Sequence, residues 1–100
     1  MYGTIARMKV KSGKMDELKQ QMADFDTNRQ PKGYLGEIIY QMDSNPNEIM
    51  LAVFFDSKES YHANANSPEQ DKEYRKMRDL LDADPEWHDG EVIRQFWVGK

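Results

Sequence analysis

Two histidines, five tyrosines and no cysteine set the chemical repertoire of this 100-residue chain. Histidine is the usual acid–base side chain near neutral pH, and His62 sits in the run Glu59-Ser60-Tyr61-His62-Ala63-Asn64. As a helix, that run puts Tyr61, Asn64 and Ala65 on one face, at i, i+3 and i+4. His62 then lies about 100° round, toward solvent if Tyr61 packs inward. Asn64 becomes the leading candidate for catalysis, with Tyr61 beside it. An inward amide can hold a substrate carbonyl or hydroxyl, or stabilise developing oxyanion charge. The same asparagine also suits a cap or turn between two helices, because Asn66-Ser67-Pro68 is turn chemistry. Tyr40 and Tyr74 are candidate pocket walls with a hydroxyl handle, or ordinary core residues with the hydroxyl at the surface. Tyr34 shares a strand face with Tyr40 but stands next to a turn. His62 stays among the candidate substrate contacts.

Near the end of the chain, Trp87-His88-Asp89-Gly90 brings an aromatic, a base and an acid side by side. Adjacent side chains diverge in extended chain, and no serine partner signals a triad. Trp87 is a lid or packing residue at the end of the core, and a candidate substrate contact. Arg7 and Arg94 lie mid-strand among apolar residues. Each could anchor an anionic ligand or pair with an acid such as Glu37, and Arg94 joins the substrate-binding candidates. Two histidines without i, i+4 pairing make no case for a metal, and the reading calls for no cofactor. Without cysteine, disulfides and thiolate nucleophiles are excluded. There is no Gly-rich phosphate loop. A net charge of −4 and no basic stripe argue against nucleic acid or an anionic membrane as partner. No apolar run approaches the roughly 20 residues of a membrane span. The N-terminal MYGTIARMKV lacks a signal peptide's apolar block, so a cytoplasmic protein is the expectation.

These residues must be positioned by a small set of elements. Tyr2 to Val10 alternates as a strand. Met15, Leu18, Met22 and Phe25 form a helical stripe that ends before Pro31-Lys32-Gly33. Tyr34 to Met42 and Ile49 to Phe55 read as strands joined through the turn Asp43 to Asn47, a hairpin. Asp56 and Glu59 have capping-box spacing for a short helix, and Ser67-Pro68-Glu69-Gln70 repeats the signal for a longer one. That helix should carry Tyr74, Met77, Leu80 and Leu81 inward and end at Asp84-Pro85. Asp89-Gly90 reads as a turn, and Glu91 to Val98 as the last strand. The order βαββαβ over residues 1–100 predicts one α+β, ferredoxin-like domain: an antiparallel four-stranded sheet with helices on one face.

The strand patterns predict more than a fold. A sheet with one wet face should alternate apolar and polar residues. In the third strand Ile49, Leu51, Val53 and Phe55 oppose Met50, Ala52 and Phe54. In the last, Val92, Phe96 and Val98 oppose Ile93 and Trp97. Both faces are apolar, and the helices cover one. A second copy of the sheet is the simplest cover for the other, so a homodimer through the sheet face is expected.

The segment DSKESYHANANSPEQ, residues 56–70, and the Lys-Ser-Gly-Lys that follows Val10 give the chain a resemblance. It resembles, over essentially its whole length, the antibiotic-biosynthesis-monooxygenase-like domains of the dimeric α/β-barrel superfamily. The resemblance implies a cavity in each subunit between sheet and helices. It further implies a cofactor-independent monooxygenase acting on an aromatic or quinol-type small molecule. A dimeric domain that binds a small apolar ligand, or serves as an interaction module, is the alternative. Three positions depart from the family pattern: Asn64 stands where a His is frequent, Phe55 where a Trp is, and Ala6 where the haem-degrading branch has an Asn. They set the chain apart from haem degradation.

Overall fold

The structure, a computed structural model, describes residues 1–99. Seven elements follow one another: β1 (Tyr2–Lys9), α1 (Met15–Asn28), β2 (Tyr34–Gln41), β3 (Glu48–Phe55), α2 (Lys58–Ala65), α3 (Pro68–Arg78) and β4 (Glu86–Glu91). The strands form one antiparallel sheet in the order β2-β3-β1-β4, the ferredoxin-like arrangement. Helix starts follow local chemistry. Asp16 and Glu17 occupy the first turn of α1, where the helix dipole favours negative charge. Ser57 caps α2 by accepting from Ser60 N, so the cap is Ser57 rather than the expected Asp56–Glu59 box. The Asp56 carboxylate accepts from the Ser60 hydroxyl instead. Ser67 caps α3 from Gln70 N, with Pro68 in the first turn. That helix stops at Arg78, earlier than Asp84-Pro85. Leu80 and Leu81 are buried just beyond it, and Leu81 makes a bridge with Val10.

Strand alternation sorts residues onto two faces. The helix-covered face carries Thr4, Ala6 and Met8 of β1 and Ile49, Leu51, Val53 and Phe55 of β3. At one end of this face Met8, Val10, Ile49 and Leu51 pack with Leu18, Leu80 and Leu81 into the core, and Met15, Met22 and Met77 pad its edge. The other face carries Ile5, Arg7, Ile38, Tyr40, Met50, Ala52 and Phe54. It has no helix over it: Ile5 is 53% and Tyr40 63% exposed. Arg7 pairs there with Glu48, its Nε and Nη2 donating to the two carboxylate oxygens at 3.0 and 3.1 Å, so its acid is Glu48 rather than Glu37.

Two expectations are corrected by strand geometry. The last strand is Glu86–Glu91, not Glu91 to Val98. Because β4 runs antiparallel to β1, its partner is used up when Tyr2 pairs with Glu91. Beyond Val92, whose N–H donates to Met1 O, the chain has no strand to pair with. Ile93, Phe96, Trp97 and Val98 are left exposed, so they form no faces of a strand. Asp89-Gly90 lies inside the ladder, opposite Thr4 and Gly3, and is no turn. In β2 the register shifts between Tyr34 and Gly36. Gly36 has φ 148°, a conformation open to glycine and costly for other residues, and the extra residue turns the strand over. Tyr34 therefore faces the helices, whereas Tyr40 faces away.

Candidate functional site

The helices do not fill the whole covered face. Past Met8 and Leu51, toward Thr4, Val53 and Phe55, they stand off the sheet and leave a hollow of about 470 Å³. This volume is in the range of small-molecule sites. One rung of the ladder crosses its floor: Glu37 pairs with Val53, Val53 with Thr4, and Thr4 with Asp89. All four side chains point to the helix side. The remaining walls are largely apolar, from Met22, Phe25, Phe55, Met77 and Trp87.

Three polar groupings interrupt that apolar lining. At the β4 end, the Tyr61 hydroxyl donates to Asp89 Oδ1 at 2.8 Å. The ring packs against Phe55, Tyr2 and His62, with centroids 5.2–5.6 Å apart. Burial, then the bond to Asp89 and its charge, pushes the Tyr61 hydroxyl up to about 12, so it stays a neutral donor at neutral pH. Thr4 is 6% exposed, and its Oγ1 is buried with no hydrogen-bond partner. An orphaned hydroxyl is costly to bury; this one is closed off from the hollow that the residue lines, with the Tyr61 hydroxyl close by.

At the mouth between α2 and α3, Arg29 Nη2 donates to Asn64 Oδ1 at 2.8 Å and to Ser67 Oγ at 3.2 Å. Its other terminal nitrogen donates to Gln70 Oε1, which also accepts from Asn64 Nδ2 at 3.3 Å. Phe25 lies under the guanidinium, 5.4 Å from ring centroid to Cζ. This network fixes the orientation of the Asn64 amide. Its oxygen already accepts from a cation and one N–H is given to Gln70, which leaves its second N–H for a ligand.

At the β2 end, the Tyr34 hydroxyl donates to Asp26 Oδ1 at 2.9 Å. The Glu37 carboxyl lies beside Asp26. Burial first, then the bond and charge of Asp26, pushes Glu37 up to about 8. Burial and the two nearby carboxylates likewise raise Tyr34.

Of the residues singled out in sequence, Asn64, Tyr61, His62, Tyr74 and Trp87 line this hollow. His62 is half-buried against Tyr2 and Tyr61, not turned to solvent. Asn64 caps neither helix; Ser57 and Ser67 do. Tyr40 is placed on the opposite face by the β2 bulge, and Arg94 sits outside the ladder with its guanidinium over Phe96; neither lines the hollow. His88 points to the uncovered face opposite Ile5. Sequence reasoning missed Thr4, Asp26, Arg29, Glu37 and Asp89 as site residues. The one available signal was Gly36, since a glycine inside a strand marks a bulge. A bulge there turns Tyr34 and Glu37 inward together. Among the described residues, no group of three or more His, Asp or Glu side chains is placed to hold a metal ion. No helix among them is long and apolar enough to cross a membrane.

The profile of the family described as antibiotic biosynthesis monooxygenase matches residues 1–76. Solved structures agree in fold. A candidate antibiotic biosynthesis monooxygenase from Chloroflexus aurantiacus is 25% identical, covers 98% of both chains and superposes with a TM-score of 0.76. One from Deinococcus radiodurans is 15% identical over 100% of both chains, with a TM-score of 0.79. A variant of SnoaB, a cofactor-independent oxygenase from Streptomyces nogalater, is 13% identical over 99% of this chain and 97% of its own, with a TM-score of 0.78. No curated protein matches this sequence.

Proposed function

The chain belongs to the antibiotic biosynthesis monooxygenase family, and we propose that it oxygenates a flat aromatic or quinol-type molecule in this hollow without a bound cofactor. The observation that carries the reading is the makeup of the hollow: apolar walls sized for a small polycycle, interrupted by a few partly buried, oriented polar groups. Such a reaction balances without an external reductant when the substrate supplies all four electrons. A ring CH₂ becomes C=O, one oxygen atom enters the product, and the other leaves as water. The demand on the protein is to bind the ring system, help it ionise and hold the resulting enolate. The Asn64 N–H, kept in place by Arg29 and Gln70, is suited to the enolate oxygen. The neutral Tyr61 hydroxyl on Asp89 supplies a second polar edge. Tyr74 and Trp87, 6.4 Å apart, and His62 give ring surfaces for the substrate. The working unit is a homodimer through the uncovered sheet face, a reading supported by the exposed Ile5, Ile38 and Tyr40.

Oxygen uptake with a panel of anthrones and quinols tests the reaction. Wild type should consume oxygen above background, and Asn64→Ala should lose roughly 100–1,000-fold, the range for removing an oxyanion donor. Uptake at background in the wild type would leave the non-catalytic ligand-binding domain as the better reading.

A further inference from the structure

The floor of the hollow holds a carboxyl group that the scheme above does not use. We propose that Glu37 accepts the acidic hydrogen of the substrate and that Asp26 is the positioning residue that holds it. This assignment rests on the oxygenase reading for its substrate class, but its own observations are separate.

The first is placement. Glu37 lies on the rung that crosses the floor of the hollow, beside Val53, and its side chain lines the hollow. The second is the support around Glu37. Asp26 comes from the last turns of α1 and is itself held by the Tyr34 hydroxyl, so the pair is oriented from two elements.

The groups facing Glu37 explain its acid–base state. Asp26 and Lys19 approach from α1 and Tyr34 from its own strand, while β3 offers only apolar neighbours. Across the hollow stand Tyr61, His62, Asp71, Glu73, Tyr74 and Asp89. Burial and the Asp26 charge put Glu37 near 8, close to the pH at which a general base works best. In the step itself the substrate C–H bond breaks and a Glu37 O–H bond forms. The electron pair stays on the ring system as an enolate, which reduces dioxygen. The proton leaves Glu37 with the water that is released.

Proton transfer can be read apart from oxygenation. Anthrone is incubated with the protein in D₂O under argon, and deuterium entering its CH₂ is followed. Wild type should exceed buffer background, with a rate rising through an inflection near pH 8. Glu37→Gln, nearly the same shape, should drop the rate at least about 100-fold and remove the inflection. Asp26→Asn should keep the exchange but move the inflection to lower pH. Exchange by Glu37→Gln at the wild-type rate overturns the proposal, as does a wild type no faster than buffer. Carboxyl-carbon NMR guards against a misfolded variant: in the wild type Glu37 should titrate near 8, and an ordinary carboxylate value also overturns the assignment. Oxygen uptake that survives Glu37→Gln would retain the oxygenase and remove only its base. Exchange without uptake would retain the base and remove the oxygenase.

Discussion

The two faces of this sheet are made by the same strands, yet they follow opposite rules. On the covered face, beside the apolar core, partly buried polar groups are nearly all spoken for: Tyr61 by Asp89, Tyr34 by Asp26, Asn64 by Arg29 and Gln70. On the uncovered face Ile5, Ile38 and Tyr40 are exposed, and the charged groups Arg7, Glu48, Lys9 and Glu86 gather toward one end. A globular domain normally packs its covered side throughout and turns polar groups to the surface. The contrast teaches that each face is shaped for something besides stability of one chain. The covered face keeps space and oriented polar groups, at the expense of packing. The uncovered face keeps apolar area that a single chain cannot bury.

That comparison can be broken, starting with the largest effect. Leu51→Ala on the covered face removes a side chain that is 5% exposed and touches the core. It should cost about 2–5 kcal/mol in urea unfolding; a loss below 1 kcal/mol would mean the covered face is not tightly packed at that point. Ile5→Asp on the other face should leave secondary structure intact while light scattering falls from twice the chain mass to once. An unchanged mass would end the homodimer reading of that face.

The next effect depends on pH. Glu37 is raised from 4.5 to about 8 in the folded chain, so the folded state holds a proton that the unfolded state releases. The stability from this group is complete below about pH 4.5 and is lost as pH climbs through about 8. Melting temperatures measured between those limits should therefore fall with rising pH, and Glu37→Gln should flatten the slope. A wild-type slope no steeper than that of the variant would contradict the buried carboxyl. The smallest effect is Arg7→Gln. Its guanidinium is half-exposed and the Gln amide can still donate to the buried Glu48 carboxylate, so the melting point should change little, and what change there is should shrink in high salt. A large, salt-independent loss would show that the uncovered face is less open to water than it is here.

Much of the architecture was legible in the sequence because it depends on local periodicity. The 3-4-3 spacing of Met15, Leu18, Met22 and Phe25 is α1, and Ser67-Pro68 starts α3 where turn and cap chemistry place it. The continuous apolar run of β3 also announced two buried-type faces. What failed depended on partners distant in sequence. Asp89-Gly90 has turn composition, yet pairing with Thr4 and Gly3 keeps it extended. Val92 to Val98 has strand composition but nothing within the chain to pair with. The site was legible only in part. Tyr61 and Asn64 share a helix face that periodicity exposes. Glu37 and Asp26 come from a bulged strand and a helix end, and no spacing rule links them.

By itself, then, the sequence determined which segments form helices and strands, their order, and the surplus of apolar strand residues, since these depend on side chains within a few positions of one another. Only the tertiary structure decided which way β2 faces after Gly36, where β4 stops, and which acids meet. Those outcomes depend on register between strands, and a one-residue shift in register sends every later side chain to the other face.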